Sequence, residues 1–235
     1  MLDTCTLSVE DRADDLNRRY GELSPAELIG TMAYHFFPER MALVSSFGAD
    51  SVTMLSIVAE VKPDLPVLFL QTGKHFDETL RYRDEIAKRL GLTNIIDLYP
   101  EPLALAKEDP DGTLHARDQD ACCAIRKVHP LARALRPYDA WITGRRRHQT
   151  FARRQMPVIE ADGRHVKLNP IAAWSQEDVD AYIDARDLPR HPLVADGYPS
   201  IGCAPCTARV AAGEDARAGR WGDSGKTECG IHWMR

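Results

Sequence analysis

Short apolar runs alternate with segments of helix-like periodicity over most of the chain. The apolar runs predict strands at 41–45, 66–70, 94–98 and 140–143. The intervening segments repeat apolar residues at helical spacing and predict helices at 52–61, 76–90 and 124–135. Strands that alternate with helices in this way are typical of a parallel sheet with helices on both faces. The pattern therefore predicts a doubly wound, mostly parallel α/β fold.

Capping and turn signals extend this prediction. Residues 11–38 also have helical spacing, and Gly91 follows segment 76–90 as a C-cap. Ser175 and Asp178 form a capping-box pattern that opens a helix to about residue 186. A hairpin is predicted from two short apolar segments around an Asp-Gly turn, at 157–159 and 166–168.

The last part of the chain has a different character. Periodicity fades after Leu188, yet this region holds three of the six cysteines, which favours a functional tail laid over the sheet. We predict a nucleotide-binding α/β unit over 1–210, which includes a cysteine site, and a mobile catalytic tail over 211–235. Glycines that would give the tail its freedom are Gly213, Gly219, Gly222 and Gly225.

Composition excludes some classes of protein. With 30 Lys and Arg against 35 Asp and Glu, the net charge of −5 gives no reason to expect a nucleic-acid or membrane partner. Basic clusters at 126–127, 145–147 and 153–154 nevertheless suit a small anionic substrate, although any one of them alone is better explained as solvated surface. There is no secretory pattern and no apolar run of about 18 residues, so we expect a cytoplasmic protein. In that compartment cysteines are metal ligands or catalytic thiols more often than disulfides.

The loop at 46–51 follows the first core strand and precedes a helix, where doubly wound folds bind ligands. Gly48 would let backbone N–H groups approach an anion, and Ser46 and Ser51 could donate further hydrogen bonds. An ordinary strand-to-helix turn explains the same residues equally well. The Gly-Lys-Ser/Thr ending of a Walker loop is absent. The loop resembles the phosphate loop of the adenine-nucleotide alpha-hydrolase superfamily, which implies that superfamily's fold.

Two pairs of cysteines, Cys122-Cys123 and Cys203-x-x-Cys206, make a complete set of four thiolates. A zinc ion, an iron–sulfur cluster or two redox dithiols could use such a set. Adjacent cysteines reach one small ion poorly, whereas a cubane offers separate iron corners. A thioredoxin-like pair is disfavoured because this C-x-x-C lies in the tail. We therefore predict one four-iron, four-sulfur (4Fe-4S) cluster per chain.

Cys229 stands near the end of the chain, where a cysteine is usually a spare surface thiol. Here Lys226 and His232 are close in sequence, and both could favour the thiolate, so Cys229 is the predicted nucleophile. Gly230 would permit a close approach to a ligand. Cys5 has no comparable neighbours and is assigned no role.

Four blocks together, at 122–127, 143–149, 202–207 and 228–232, resemble the signature blocks of assimilatory adenosine 5′-phosphosulfate (APS) reductases, in the family's order. The resemblance implies that the four paired cysteines hold the cluster. It also implies that Cys229 is the nucleophile, in a catalytic group with His232 and Lys127. The implied substrate contacts are Ser46, Gly48, Ser51, Thr72, Gly73, Lys127, Arg145, Arg146, Arg217 and Arg220.

The same resemblance implies reduction of APS to sulfite and AMP through an S-sulfocysteine, in sulfate assimilation. Thioredoxin or a glutaredoxin-like protein would be the reductant, and homo-oligomerisation is left open. A 3′-phosphorylated or dual substrate is the alternative, because Lys74 and His75 could accept the extra phosphate. More distant alternatives are an ATP pyrophosphatase and a non-enzymatic iron–sulfur redox sensor. Gln71 and His148 stand where the family usually has Asp.

Overall fold

A six-stranded sheet, with strand order β3-β2-β1-β4-β6-β5, organises the fold. The computed structural model describes residues 7–222, 226 and 228–232, so Cys5 and Gly225 lie outside the described residues. The strands are β1 Met41–Ser45, β2 Val67–Leu70, β3 Ile95–Leu98, β4 Ala140–Ile142, β5 Ile159–Asp162 and β6 His165–Leu168. All neighbouring pairs are parallel except β5 with β6, which confirms the predicted sheet and hairpin.

Helices connect the parallel strands, as the periodicity predicts. Their bounds are α1 Val9–Tyr20, α2 Pro25–Thr31, α3 Ser51–Val61, α4 Asp77–Leu90, α5 Pro102–Glu108, α6 Leu114–Arg117, α7 Gln119–Cys123, α8 His129–Ala134 and α9 Gln176–Ala185. Gly91 ends α4 in the left-handed conformation, at φ 67°, and Ser175 caps α9 in a capping box with Asp178. The predicted helical segment 11–38 is divided, because Ser24 caps a new helix.

Two apolar clusters cover the two faces of the sheet. Along β1, Met41 and Leu43 belong to the larger cluster and Ala42 belongs to the smaller one, as the alternation of a strand requires. The smaller cluster also includes Trp141 of β4, and Ile231 of the tail packs against it. Within the part of the chain that the structure describes, no helix is long and apolar enough to cross a membrane.

The strand order fixes where a ligand can bind. The chain runs outward from β1 to β2 and β3, and then returns to the other side of β1 to form β4. This reversal leaves a crevice outside the carboxyl ends of β1 and β4, where open α/β sheets bind their ligands. The loop at 46–51 leaves β1 at this point, and Thr143, Gly144 and Arg145 leave β4 beside it.

Candidate active site

A cavity opens at the carboxyl ends of β1 and β4, and it gathers most of the predicted site residues. Residues of the predicted α/β unit and residues of the C-terminal tail line this cavity together. Lining residues that the sequence predicted are Ser46, Gly48, Ser51, Thr72, Lys127, Arg145, Arg146, Arg217, Arg220, Cys203, Cys229 and His232.

The loop at 46–51 is held in shape from within. Ser51 Oγ accepts a hydrogen bond from the Gly48 N–H at 2.9 Å, and Ser45 Oγ accepts one from the Phe47 N–H at 3.2 Å. Phe47 is buried at φ 48°, a conformation that costs a non-glycine residue about 1–3 kcal/mol. Its ring packs edge-on against Phe69, with centroids 5.5 Å apart, which holds the strained residue in place. The loop is therefore preformed at the N-terminus of α3.

The arginines after β4 are fixed by protein carboxylates. Arg145 pairs with Glu160, and Arg146 pairs with Asp50 at the start of α3. Burial lowers the pKa of both arginines from the ordinary value, although the carboxylates oppose that shift. Both guanidinium groups thus face the cavity with their charge partly offset.

A buried ion pair that sequence reasoning missed ties two parts of the site together. Arg126 Nη2 donates to Asp109 Oδ2 at 2.5 Å, and Nη1 donates to the Thr72 carbonyl at 2.7 Å. Asp109 is fixed in turn by the Leu114 N–H, at 2.7 Å from its Oδ1. A buried arginine and a carboxylate distant in sequence leave no local pattern, so only the structure identifies this pair.

The helix that carries Cys122 and Cys123 contains a π-helical turn at Ala124–Val128. Such a turn holds an extra residue and is frequent at functional sites. Arg126 and Lys127 both lie in it. Arg126 pairs with Asp109, while Lys127 lines the cavity.

The turn after β2 reaches the second cysteine pair. Thr72 Oγ1 lies 3.4 Å from Cys203 Sγ, and it also accepts a hydrogen bond from the Lys74 N–H at 3.2 Å. Gly73 has φ 69°, which favours glycine, and Gln71 Oε1 accepts from its N–H at 3.3 Å. Gln71, a departure from the family pattern, therefore shapes the turn. Gly73 itself is absent from the cavity lining.

The four paired cysteines are free thiols that lie close enough to affect one another's charge. Cys122, Cys123 and Cys203 are buried, and Cys206 is half-buried. Burial, with a contribution from Cys123, raises the pKa of the Cys122 thiol to about 11. Burial and Cys203 likewise raise the pKa of Cys206. Burial thus disfavours the thiolate form of Cys122 and Cys206, and a positive group beside them would favour it.

This donor set fits a cluster that carries anionic sulfur. Among the described residues no group of three or more His, Cys, Asp or Glu is arranged to hold a metal ion. A cubane does not require its ligands to share one ion. Arg220 Nε and the indole Nε1 of Trp221 are buried donors without a partner. The backbone N–H of Trp221 donates to the Cys206 carbonyl at 3.0 Å. Unpaired donors beside free buried thiols suit a sulfur-rich group.

Lys127 is a positively charged neighbour of Cys229 in the cavity. Burial alone would lower the pKa of Lys127, but Cys203, Cys229 and Cys123 raise it above the ordinary value, so the ammonium stays charged. Lys226, the lysine near Cys229 in sequence, is not among the residues that line the cavity, and its Nζ donates to Asp120 on α7 at 2.5 Å. Lys127 is therefore the lysine that accompanies the nucleophile candidate in the cavity lining.

His232 lines the cavity together with Cys229, and its ring packs on β4. Burial, followed by Arg145 and Lys167, holds the pKa of His232 well below the ordinary value, so the imidazole is neutral. Its ring stacks on Trp141, with centroids 5.9 Å apart and planes within 4°. Lys167 Nζ also donates to the His232 carbonyl at 3.4 Å. These contacts anchor the tail at β4, and the predicted catalytic role of His232 stays a prediction.

Lys74 and His75, the two cations proposed for a 3′-phosphate, both have hydrogen-bond partners in the protein, and His75 lines the cavity. Lys74 Nζ donates to the Gly112 carbonyl at 2.6 Å and is not among the residues that line the cavity. His75 Nε2 lies 2.8 Å from the Leu70 carbonyl oxygen, and its ring stacks on Phe69. Burial lowers the pKa of His75, which makes it a poor cation. His148, the second departure, lines the cavity, and burial lowers its pKa too.

Backbone pairing with residues 207–208 places Arg220 of the tail. Thr207 and Arg220 form an isolated antiparallel bridge, and the Ala208 N–H donates to the Gly219 carbonyl at 2.7 Å. A Cβ on Gly219 would lie 2.2 Å from the Ala208 carbonyl oxygen. Gly219 therefore permits a close approach of two chain segments, where the sequence had suggested freedom of movement.

Known proteins resemble this chain in sequence and in fold. The phosphoadenosine phosphosulfate reductase domain matches residues 40–209. A protein of Chelativorans sp. strain BNC1, named adenosine 5′-phosphosulfate reductase, is 53% identical over 96% of this chain and 93% of its own length. A Gloeobacter violaceus protein, named phosphoadenosine 5′-phosphosulfate reductase, is 44% identical over 93% and 92%. The crystal structure of phosphoadenylyl-sulfate reductase from Candida auris, a phosphate complex, has a TM-score of 0.72 at 29% identity and covers 88% of this chain and 100% of that one.

The Arg126–Asp109 pair gives a first prediction. Asp109→Ala should lower the free energy of unfolding by about 3–5 kcal/mol, because it leaves a buried guanidinium unpaired. Asp111→Ala is the matched control, since Asp111 and its partner Arg117 are half exposed, and it should change stability by less than about 1 kcal/mol. Urea denaturation of both variants measures the difference.

The same pair should respond to acid. Burial alone would raise the pKa of Asp109, but the Arg126 hydrogen bonds and the Leu114 N–H hold it below the ordinary value. The carboxylate therefore stabilises the fold above the pKa that Asp has in the unfolded chain, and this contribution is lost as pH falls through the folded-state pKa. The stability gap between the wild type and Asp109→Ala should shrink over that acidic range. A gap that stays constant would contradict a role for the charged pair.

Proposed function

Because the chain belongs to the phosphoadenosine phosphosulfate reductase family, we propose that it reduces APS to sulfite and AMP. The observation that carries the proposal is the meeting of Cys229 with Lys127, Arg217 and Arg220 in one cavity at the sheet's switch point. A pyrophosphatase has no need of a nucleophilic cysteine at that place. The reaction belongs to sulfate assimilation, and we propose that it takes place in the cytoplasm.

Charge around the substrate is the first requirement of this chemistry. The sulfur of APS is bonded to oxygens that repel a thiolate, so the site must offset that charge and align the nucleophile. Lys127, Arg217 and Arg220 would hold the phosphosulfate, and the loop at 46–51 would hold the nucleotide's phosphate at the N-terminus of α3. Burial, together with Arg153, lowers the pKa of Arg217 to about 10, which still leaves it charged at neutral pH.

The covalent step follows from this arrangement. The Cys229 thiolate forms a bond to sulfur, the bond from sulfur to the phosphate oxygen breaks, and AMP leaves with the electron pair. The S-sulfocysteine is then attacked at Cys229 Sγ by a thiolate of thioredoxin or a glutaredoxin-like protein. Sulfite leaves, and the second thiol of that partner resolves the mixed disulfide. The dithiol is oxidised as sulfur is reduced.

We propose that Cys122, Cys123, Cys203 and Cys206 hold one 4Fe-4S cluster per chain. The thiols of the partner already supply both electrons, so the cluster is not needed as an electron donor. When bound, it would supply fixed charge near Lys127. The protein around it has a separate task. Arg126 Nη1 donates to the Thr72 carbonyl at 2.7 Å, and Thr72 Oγ1 lies 3.4 Å from Cys203 Sγ. Arg126 and Thr72 thus connect the helix of the first cysteine pair to the second pair. Lys127 follows Arg126 in the chain and lines the cavity.

The nucleophile is tested by mass. Wild-type protein given APS without reductant should gain one SO₃ group on the peptide that contains Cys229. Cys229→Ser should bind AMP with wild-type affinity and release no sulfite when reduced thioredoxin is added, and Cys5→Ser should behave as the wild type. An adduct on another cysteine would exclude the proposed mechanism. Binding without any turnover in the wild type would favour the redox-sensor alternative.

The cluster is tested by iron content. Protein purified without oxygen should be brown and contain about four irons per chain. Cys203→Ser should lose both the colour and the iron, while Cys5→Ser should keep them. A colourless wild-type protein with one zinc per chain would contradict the cluster.

Substrate choice is tested by kcat/KM for APS and for its 3′-phosphorylated form with the same thioredoxin. We expect a preference for APS of about 100-fold, or about 2.7 kcal/mol, because an added phosphate without a basic contact must be desolvated unpaired. Lys74 and His75, the two cations considered for that contact, are engaged as described. The Gloeobacter relative is named for the phosphorylated substrate, so a preference for that substrate is the other outcome to test. Equal values would mean dual specificity.

A further inference from the structure

Arg153 lines the cavity but is not among the substrate contacts proposed above, and it makes a two-point contact with the tail. It lies in the short helical turn Phe151–Arg153, and its partner Glu228 immediately precedes Cys229. Arg153 Nε donates to Glu228 Oε1 at 2.6 Å, and Nη2 donates to Oε2 at 2.6 Å. The side chains are only 8% and 9% exposed.

Neighbouring groups fix both members of the pair. Gln149 Oε1 accepts a hydrogen bond from Arg153 Nη1, and Thr150 Oγ1 donates to Glu228 Oε1 at 3.4 Å. A planar guanidinium that binds a carboxylate at two points sets the plane and direction of that carboxylate. The backbone at Glu228 is thereby oriented, and Cys229 is the next residue along it.

The energetics of the pair suit a contact that positions a side chain and that can also be broken. Desolvation of two charges offsets much of their attraction, so a buried ion pair specifies geometry more than it adds stability. An undocked tail returns the Glu228 carboxylate to water. In the docked tail, Arg153 also offsets a negative charge that would otherwise stand beside the thiolate and an anionic substrate.

We propose that Arg153 is a positioning residue, which acts through Glu228 to align Cys229 with the sulfur of the substrate. The inference rests on the proposed function and concerns only its first step, in which the bond between Cys229 Sγ and sulfur forms and AMP leaves. Release of sulfite requires attack by a bulky thiol protein on Cys229, and this step proceeds from a tail that has left the cavity.

The test separates the two steps. In single-turnover experiments with APS and no reductant, Arg153→Met should form the Cys229 adduct about 100-fold more slowly than the wild type, because alignment of the nucleophile is lost. Arg153→Lys should fall between them, since an ammonium cannot make the two-point contact. Affinity for AMP should not change. Sulfite release from adduct that has already formed, with reduced thioredoxin, should keep the wild-type rate.

Two further variants make the result decisive. Glu228→Gln breaks the charge pair from the tail, without a change in the scaffold, and should slow the same step. Arg154→Met is the matched control, because the neighbouring arginine is exposed and lies over the Phe151 ring at 4.8 Å, and it should leave both rates unchanged. Iron content and the thermal midpoint are measured for each protein.

Adduct formation at the wild-type rate in both Arg153→Met and Glu228→Gln would overturn the inference. Equal slowing of adduct formation and sulfite release would also overturn it, because that result indicates a general structural role. A wild-type protein that forms no adduct would instead overturn the proposed function, and the inference with it. The outcomes for the two proposals are therefore distinct.

Discussion

The concentration of positive charge around one cavity is the constraint on which the site depends. An acidic chain with a net charge of −5 buries several arginines and lysines at the end of its sheet. Each buried cation would be costly alone, so carboxylates from distant parts of the chain accompany them. Asp50, Asp109, Glu160 and Glu228 have this task. These pairs fix the loop at 46–51, the residues that follow β4, the helix that carries Cys122 and Cys123, and the tail.

The sequence predicted the parts of the fold that depend on local pattern. The four core strands and the hairpin follow from apolar runs and an Asp-Gly turn, and α9 follows from its capping box. Helices α5 and α6 escaped prediction because seven and four residues are too few to show a period. The strained Phe47 also left no signal, since only packing against Phe69 reveals why it is tolerated.

The candidate site shows the same division. The family resemblance named most of the residues that line the cavity, but neither it nor the basic clusters could identify which charges are paired. His232 is an example, because its place near Cys229 in the sequence predicted a role at the thiolate but could not predict that burial lowers the pKa of the imidazole or that its ring stacks on Trp141. Arg126 and Arg153 were visible only as members of basic clusters, and their partners are distant in sequence. Burial and pairing are tertiary properties.

The separation of the two cysteine pairs along the chain has a consequence for chain entropy. Residues 124–202, which lie between the pairs, contain β4, the hairpin and α9. Any group bound by both pairs would close this segment into a loop, as a covalent cross-link does, and would reduce the number of conformations open to the unfolded chain. Binding of that group and folding of the second half of the sheet would then be coupled equilibria, so each would favour the other. Loss of the group would therefore reduce the stability of β4, the hairpin and α9 together.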